Sequence, residues 1–187
     1  VAASISVDGN MIISGITTLG SDAIINSVTV GKGANSAEGN TVLGETALDA
    51  ITTGTLNTAI GKNALTDLTT GTRNVAVGKD AGGNISTGND NVVVGQGALS
   101  TLTTGDQNTA VGKGSLTLAT TSSNNTAVGY DALNANTTGT NNCAFGALAL
   151  DANTTGEENC AFGKNALGSS NASYCAAFGD GALAANT

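Results

Sequence analysis

The sequence predicts an all-β fold, a parallel β-solenoid, on three observations. A glycine-anchored phrase recurs, with Gly31, Gly44, Gly61, Gly78, Gly95, Gly112, Gly129, Gly146, Gly163 and Gly179 separated by 13, then by 17 seven times, then by 16 residues. Self-similarity at a fixed period of this length marks a stacked repeat. Apolar residues occur in short runs bounded by Gly, Asn, Asp and Thr, without a helical stripe, which is a strand-and-turn pattern. Finally, the 187 residues include 27 Gly but only 3 Phe and 2 Tyr, with no Trp, Pro or His. Small residues suit a thin-walled coil better than a thick globule.

Residues 1–27 do not share the phrase. Within them, "SISVDGNMIIS" alternates around Asp8-Gly9, a tight-turn signal that predicts a hairpin. A repeat array needs an end that does not copy itself, so this part is expected to be an N-terminal cap or the end of a preceding shaft. Residues 28–187 read as the repeat β-roll, with ten coils and the consensus N-T-A-V-G-x-x-A-L-x-x-x-T-T-G-x-x. The first residue is Val, and the final "GALAANT" copies "DALNANT" at 131–137 without its continuation, so the chain is expected to be a segment of a longer protein.

A coil of 17 residues is expected to hold two short strands. Its bends would fall at the anchor glycine and at the glycine of "TTG", where positive φ is cheapest for glycine. The repeat-turn glycines of the array are Gly44, Gly61, Gly78, Gly95, Gly112, Gly129, Gly146 and Gly163. Coils stacked about 4.8 Å apart would give ten of them a length of about 45–50 Å. Asn recurs four residues before the glycine, at 57, 74, 91, 108, 125, 142 and 159, and predicts a stacked asparagine ladder.

Side chains alternate between faces along the strand that precedes each glycine. Its middle position is small (Ala59, Ala76, Ala110, Ala127, Ala144, Ala161, Ala177), which suits the inside of a flattened coil. Its last position is Ile60, Val77, Val94, Val111, Val128, Phe145, Phe162 and Phe178, which is large, apolar and on the opposite face. The first position shares that face, with Thr58, Val75, Val92, Thr109, Thr126, Cys143 and Cys160. A lone solenoid would leave this face in water, and continuous apolar patches mark interfaces. Each coil also buries few large side chains of its own, so a second source of burial is expected. The last-position residues are therefore assigned to an interface between identical chains, with the three Phe residues as an aromatic plug around a symmetry axis.

Lys32, Lys62, Lys79, Lys113 and Lys164 each follow an anchor glycine, and Asp67, Asp80, Asp90, Asp106, Asp131 and Asp151 follow them or sit in the outer turns. This predicts a solvated, charged rim that resists unwanted edge pairing. Cys143 and Cys160 hold equivalent places in consecutive repeats. Three Cys do not suit a disulfide framework, and stacked thiols are expected rather than a bridge.

The stretch "NSVTVGKGANSAEGNTVLGETALDA" (26–50) resembles the head repeats of YadA-like trimeric autotransporter adhesins. The later 17-residue form is similar to repeats of virus and phage fibre proteins, and "SVDGNMIISGITTLGSDAIIN" resembles the strand-rich shafts of marine phage tail fibres. The roll resemblance spans about residues 26–187. It implies a homotrimer of left-handed parallel β-rolls, and with it that the interface assigned to the last-position residues is a trimer interface.

Chemistry is hard to place on this chain. Without His, the usual catalytic triads and His-based metal sites are missing. The cysteines lack CxxC spacing and a base. Glu157 and Glu158 are adjacent and would point apart, which makes a poor acid–base pair. "GNDN" at 88–91 offers oxygen ligands for Ca²⁺ but lacks a calcium-repeat pattern. "GKGANSAEG" and "GKGSL" lack the phosphate-loop spacing. No catalytic, metal or cofactor residue is assigned.

A formal charge of −8 disfavours nucleic acid, and no apolar run reaches membrane-span length. The expected function is a non-enzymatic structural segment of a homotrimeric viral (phage) tail fibre, located in the virion. It would act as a stiff rod for host attachment, with a host-surface receptor or glycan as a further partner. The alternative is a bacterial trimeric adhesin head at the cell surface. Ice binding is a lesser rival, raised by the Thr pairs of "TTG", which read as interrupted at Ser86-Thr87 and Thr120-Thr121-Ser122.

Overall fold

A computed structural model describes residues 28–185 together with the backbone of residues 4–5, 11–12 and 23–25. Strands β1 (Ser4–Ile5) and β2 (Met11–Ile12) pair antiparallel, Ser4 with Ile12 and Ile5 with Met11. This is the pairing expected of a hairpin, and the Asp8-Gly9 turn lies outside the described residues.

The remaining strands form one sheet. They are β3 (Ala23–Ile25), β4 (Val28–Gly31), β5 (Thr41–Gly44), β6 (Thr58–Ile60), β7 (Val75–Val77), β8 (Val92–Val94), β9 (Thr109–Val111), β10 (Thr126–Val128), β11 (Cys143–Phe145), β12 (Cys160–Phe162) and β13 (Ala176–Phe178), and their order in space is their order in sequence. From β5 to β13 all neighbours are parallel and in strict register, Thr58 opposite Val75 and Ile60 opposite Val77, for example. The chain is thus an all-β parallel solenoid of about eight turns.

Two expectations are corrected. The Gly31 segment, expected to be the first of ten coils, is not part of the parallel ladder: β4 pairs antiparallel with both β3 and β5. The 13-residue step from Gly31 to Gly44 is shorter than the regular coil, and the chain doubles back instead. Each coil also holds one strand, not two. The segment after the anchor glycine alternates in handedness: Asn63 and Leu65, with φ of 57° and 49°, flank Ala64. A backbone that turns left-handed at every second residue makes no extended strand. It still bonds from coil to coil, Leu65 N–H donating to Ala81 O at 3.1 Å and Leu99 N–H to Ser115 O at 2.9 Å.

The interior is narrow. The middle strand positions (Ala59, Ala76, Val93, Ala110, Ala127, Ala144, Ala161) are fully buried, as the alternation predicts. Against them pack the left-handed leucines, Leu65, Leu99, Leu116, Leu133, Leu150 and Leu167. A further column fills the space near the second bend. It is aliphatic at Ile51, Leu68, Ile85 and Leu102, then Ala119, and then polar at Asn136, Asn153 and Ser170.

The asparagine ladder is present as predicted and is buried throughout. Asn57 Oδ1 accepts the Asn74 backbone N–H at 2.9 Å, while Asn57 Nδ2 donates to Gly71 O at 2.9 Å. The pattern repeats to Asn159, whose Oδ1 accepts from Cys175 N–H at 2.9 Å. It ties each strand both to the coil below and to the bend above.

Candidate interaction face

On every strand from β5 to β13 the first and third side chains leave the coil together. They build two outward ranks: Thr41, Thr58, Val75, Val92, Thr109, Thr126, Cys143, Cys160 and Ala176 beside Leu43, Ile60, Val77, Val94, Val111, Val128, Phe145, Phe162 and Phe178. In the single chain Ile60, Val77, Val111, Val128 and Phe145 are half-buried, while Val94, Phe162 and Phe178 are exposed. The predicted interface residues therefore share one face, and nothing of the coil's own covers it.

The phenylalanines stack. Phe145 and Phe162 have ring centroids 4.8 Å apart at 6°, and Phe162 and Phe178 5.3 Å apart at 4°. Phe162 is stacked on both faces and so shows its edges outward, while Phe178 has a ring on one face alone. Phe178 at the end of the stack is 70% exposed. Beside them Cys143 and Cys160 stand in register, and none of the three cysteines forms a disulfide. Burial pushes the Cys143 thiol above its usual range, and neighbouring Cys160 adds to the effect.

The anchor glycines from Gly61 onward fall at positive φ as the sequence predicts, whereas Gly44, where the antiparallel start meets the first coil, does not. From Gly61 to Gly163 their φ lies between 128° and 144°, and a Cβ on Gly78 would sit 2.8 Å from Gly95 C. The "TTG" glycines are different. They do not adopt positive φ; they are small because a Cβ would strike both the next coil and their own coil's side chain, Leu68 Cδ1 at 2.6 Å from Gly71 and Leu102 Cδ1 at 2.8 Å from Gly105.

The charged rim pairs between and within coils. Lys62 meets Glu45 at 3.0 Å, Arg73 meets Asp90 at 2.6 Å, and Lys79 meets Asp80 at 3.2 Å. A hydrogen bond from Asn63 lowers the Asp80 carboxyl, and one from Arg73 lowers Asp90. These contacts occupy the "GNDN" oxygens: Asp90 lies on Arg73, and Asn89 Oδ1 accepts from Thr72. Among the described residues no group of three or more His, Cys, Asp or Glu is placed to hold a metal ion, and no helix is long and apolar enough to cross a membrane.

Two features were missed in the sequence. The first hydroxyl of each Thr pair donates to the same position one coil on, as in Thr52 to Thr69 O at 2.9 Å and Thr103 to Thr120 O at 3.0 Å, with Ser86 serving in place. The second forms an unbroken exposed column, Thr53, Thr70, Thr87, Thr104, Thr121, Thr138 and Thr155, because the 17-residue register runs straight through the apparent interruptions.

No known protein family, curated protein or solved structure matches this chain.

Proposed function

We propose that this chain is a structural segment of a homotrimeric fibre, in which left-handed rolls pack through the rank from Ile60 to Phe178. Its setting in this reading is a viral tail fibre, where the rod holds a host-attachment device away from the particle. One observation carries the reading: a rank of large apolar side chains, Leu43 to Phe178, runs unbroken along the solenoid beside a mixed rank of Thr, Val, Cys and Ala, and the chain itself leaves it partly or wholly uncovered. The stacked phenylalanines favour the same use. The outward edges of Phe162 suit packing against another chain's apolar or aromatic side chains. The bacterial surface adhesin head shares this assembly and differs in location.

Light scattering should give three times the 18.0 kDa chain mass. A folded, stable monomer overturns the proposal. Immunogold labelling of virions against cell envelopes then separates the two settings.

A second reading, binding to ice, is favoured by the exposed threonine column from Thr53 to Thr155. It predicts thermal hysteresis in freezing assays that Thr104→Lys abolishes. Absence of hysteresis in the parent chain ends it.

A further inference from the structure

Cys143 and Cys160 stand opposite one another on β11 and β12, at the first, outward-facing position of each strand. Neighbouring strands in register lie about 4.7–4.9 Å apart. Two residues further along, the rings of Phe145 and Phe162 stack with their centroids 4.8 Å apart. A disulfide asks for Cβ atoms about 3.5–4.5 Å apart, on average about 3.8 Å. Closing one here would pinch β11 onto β12 where the stacked rings are already in contact. A cation between the two sulfurs has the opposite preference. Taking the zinc–thiolate length of about 2.3 Å as a guide, two metal–sulfur bonds in line span up to about 4.6 Å. Thiolates without harder ligands select soft, d¹⁰ ions such as Cu(I).

We propose that Cys143 and Cys160 together form a two-coordinate thiolate site for a soft monovalent cation of the Cu(I) class. Binding is a proton exchange: both S–H protons leave to solvent, two metal–sulfur bonds form, and no electron is transferred. The bound site carries a net charge of −1. Cys175 lies outside it. Ala176, not Cys175, stands in register with Cys160, and Cys175 occupies the asparagine-ladder position, its N–H donating to Asn159 Oδ1 at 2.9 Å.

The test is an anaerobic titration of the reduced protein with Cu(I) in competition with bicinchoninate. One Cu(I) per chain is expected, weakened at least tenfold in Cys143→Ser and in Cys160→Ser and unchanged in Cys175→Ser. Cys160→Ala serves as a second variant, because Ala176 already fills this rank one strand on; circular-dichroism melting confirms that each variant is folded. Copper uptake that survives in the double variant Cys143→Ser/Cys160→Ser, or that is lost in Cys175→Ser, overturns the proposal. So does ready closure of a Cys143–Cys160 disulfide by diamide with no change in melting, because the strand spacing would then not resist it. The two cysteines lie on the face proposed to pack in the trimer, so the mass is measured separately and failure of the copper site is told apart from failure of the assembly.

Discussion

At the scale of single residues, two positions three apart in each coil constrain one another. Where the core column carries Ile51, Leu68 or Leu102, the bend three residues later is Gly54, Gly71 or Gly105, and a Cβ there would meet the large side chain at 2.6 to 2.8 Å. Where that column shrinks to Ala119, the bend becomes Ser122. Gly105→Ala should therefore cost about 1–3 kcal/mol by overpacking. In a Leu102→Ala background the part of that cost due to the leucine should be lifted, while the contact with the Ser122 carbonyl of the next coil remains. A double-mutant cycle by chemical denaturation measures the coupling, and equal costs in the two backgrounds would refute it. This dependence was invisible in the sequence because both positions read as independent loop residues. The glycines themselves were legible, yet the bend glycines were assigned to positive φ when steric closeness is what excludes a side chain.

At the scale of the element, the strand was legible and the second side of the coil was not. The small middle residue and large flanking residues of "TAV" and "CAF" announce an inside and an outside. The second side rests on leucines at φ between 49° and 53°, a conformation that leucine does not advertise. A usable signal lay two residues after most anchor glycines. There Asn63, Asp80, Gly97, Gly114, Asp131 and Asn165 are residue types that tolerate the left-handed region, while Thr46 and Leu148 adopt it without being so. The ladder that joins strand to bend was foreseen, and its energetic weight follows from its burial. Asn91→Ala removes the acceptor of Asn108 N–H at 3.0 Å and the donor to Gly105 O at 3.0 Å, leaving buried groups unpaired. A loss of about 2–5 kcal/mol is expected, since each orphaned group costs about 1–3 kcal/mol. Thr104→Ala, on the exposed column, should stay within about 0.5 kcal/mol. Denaturant midpoints that fail to separate the two variants would show the ladder to be passive.

At the scale of the whole molecule, the solenoid was legible from recurrence alone, while what covers its outer face was not. An outward apolar rank looks the same in a string of letters and in a lone chain: Phe162 is 37% exposed, and nothing in one chain says against what. The trimer proposal gives that exposure a consequence. Phe162→Asp should change a lone coil little, yet place three carboxylates together at a shared axis, so the parent mass and the concentration dependence of melting should both disappear. A variant that keeps both removes Phe162 from the interface. The in-register ladder has one further consequence. Each coil from β5 to β13 touches only the coil above and the coil below, through bonds that are renewed every period. Gaining or losing one full period restores every neighbour it disturbs, whereas a single missing residue has to be absorbed in a bend, as in the 16-residue last coil that still sets Phe178 opposite Phe162. Such a molecule can lengthen or shorten freely over generations in whole layers while its cross-section stays nearly fixed.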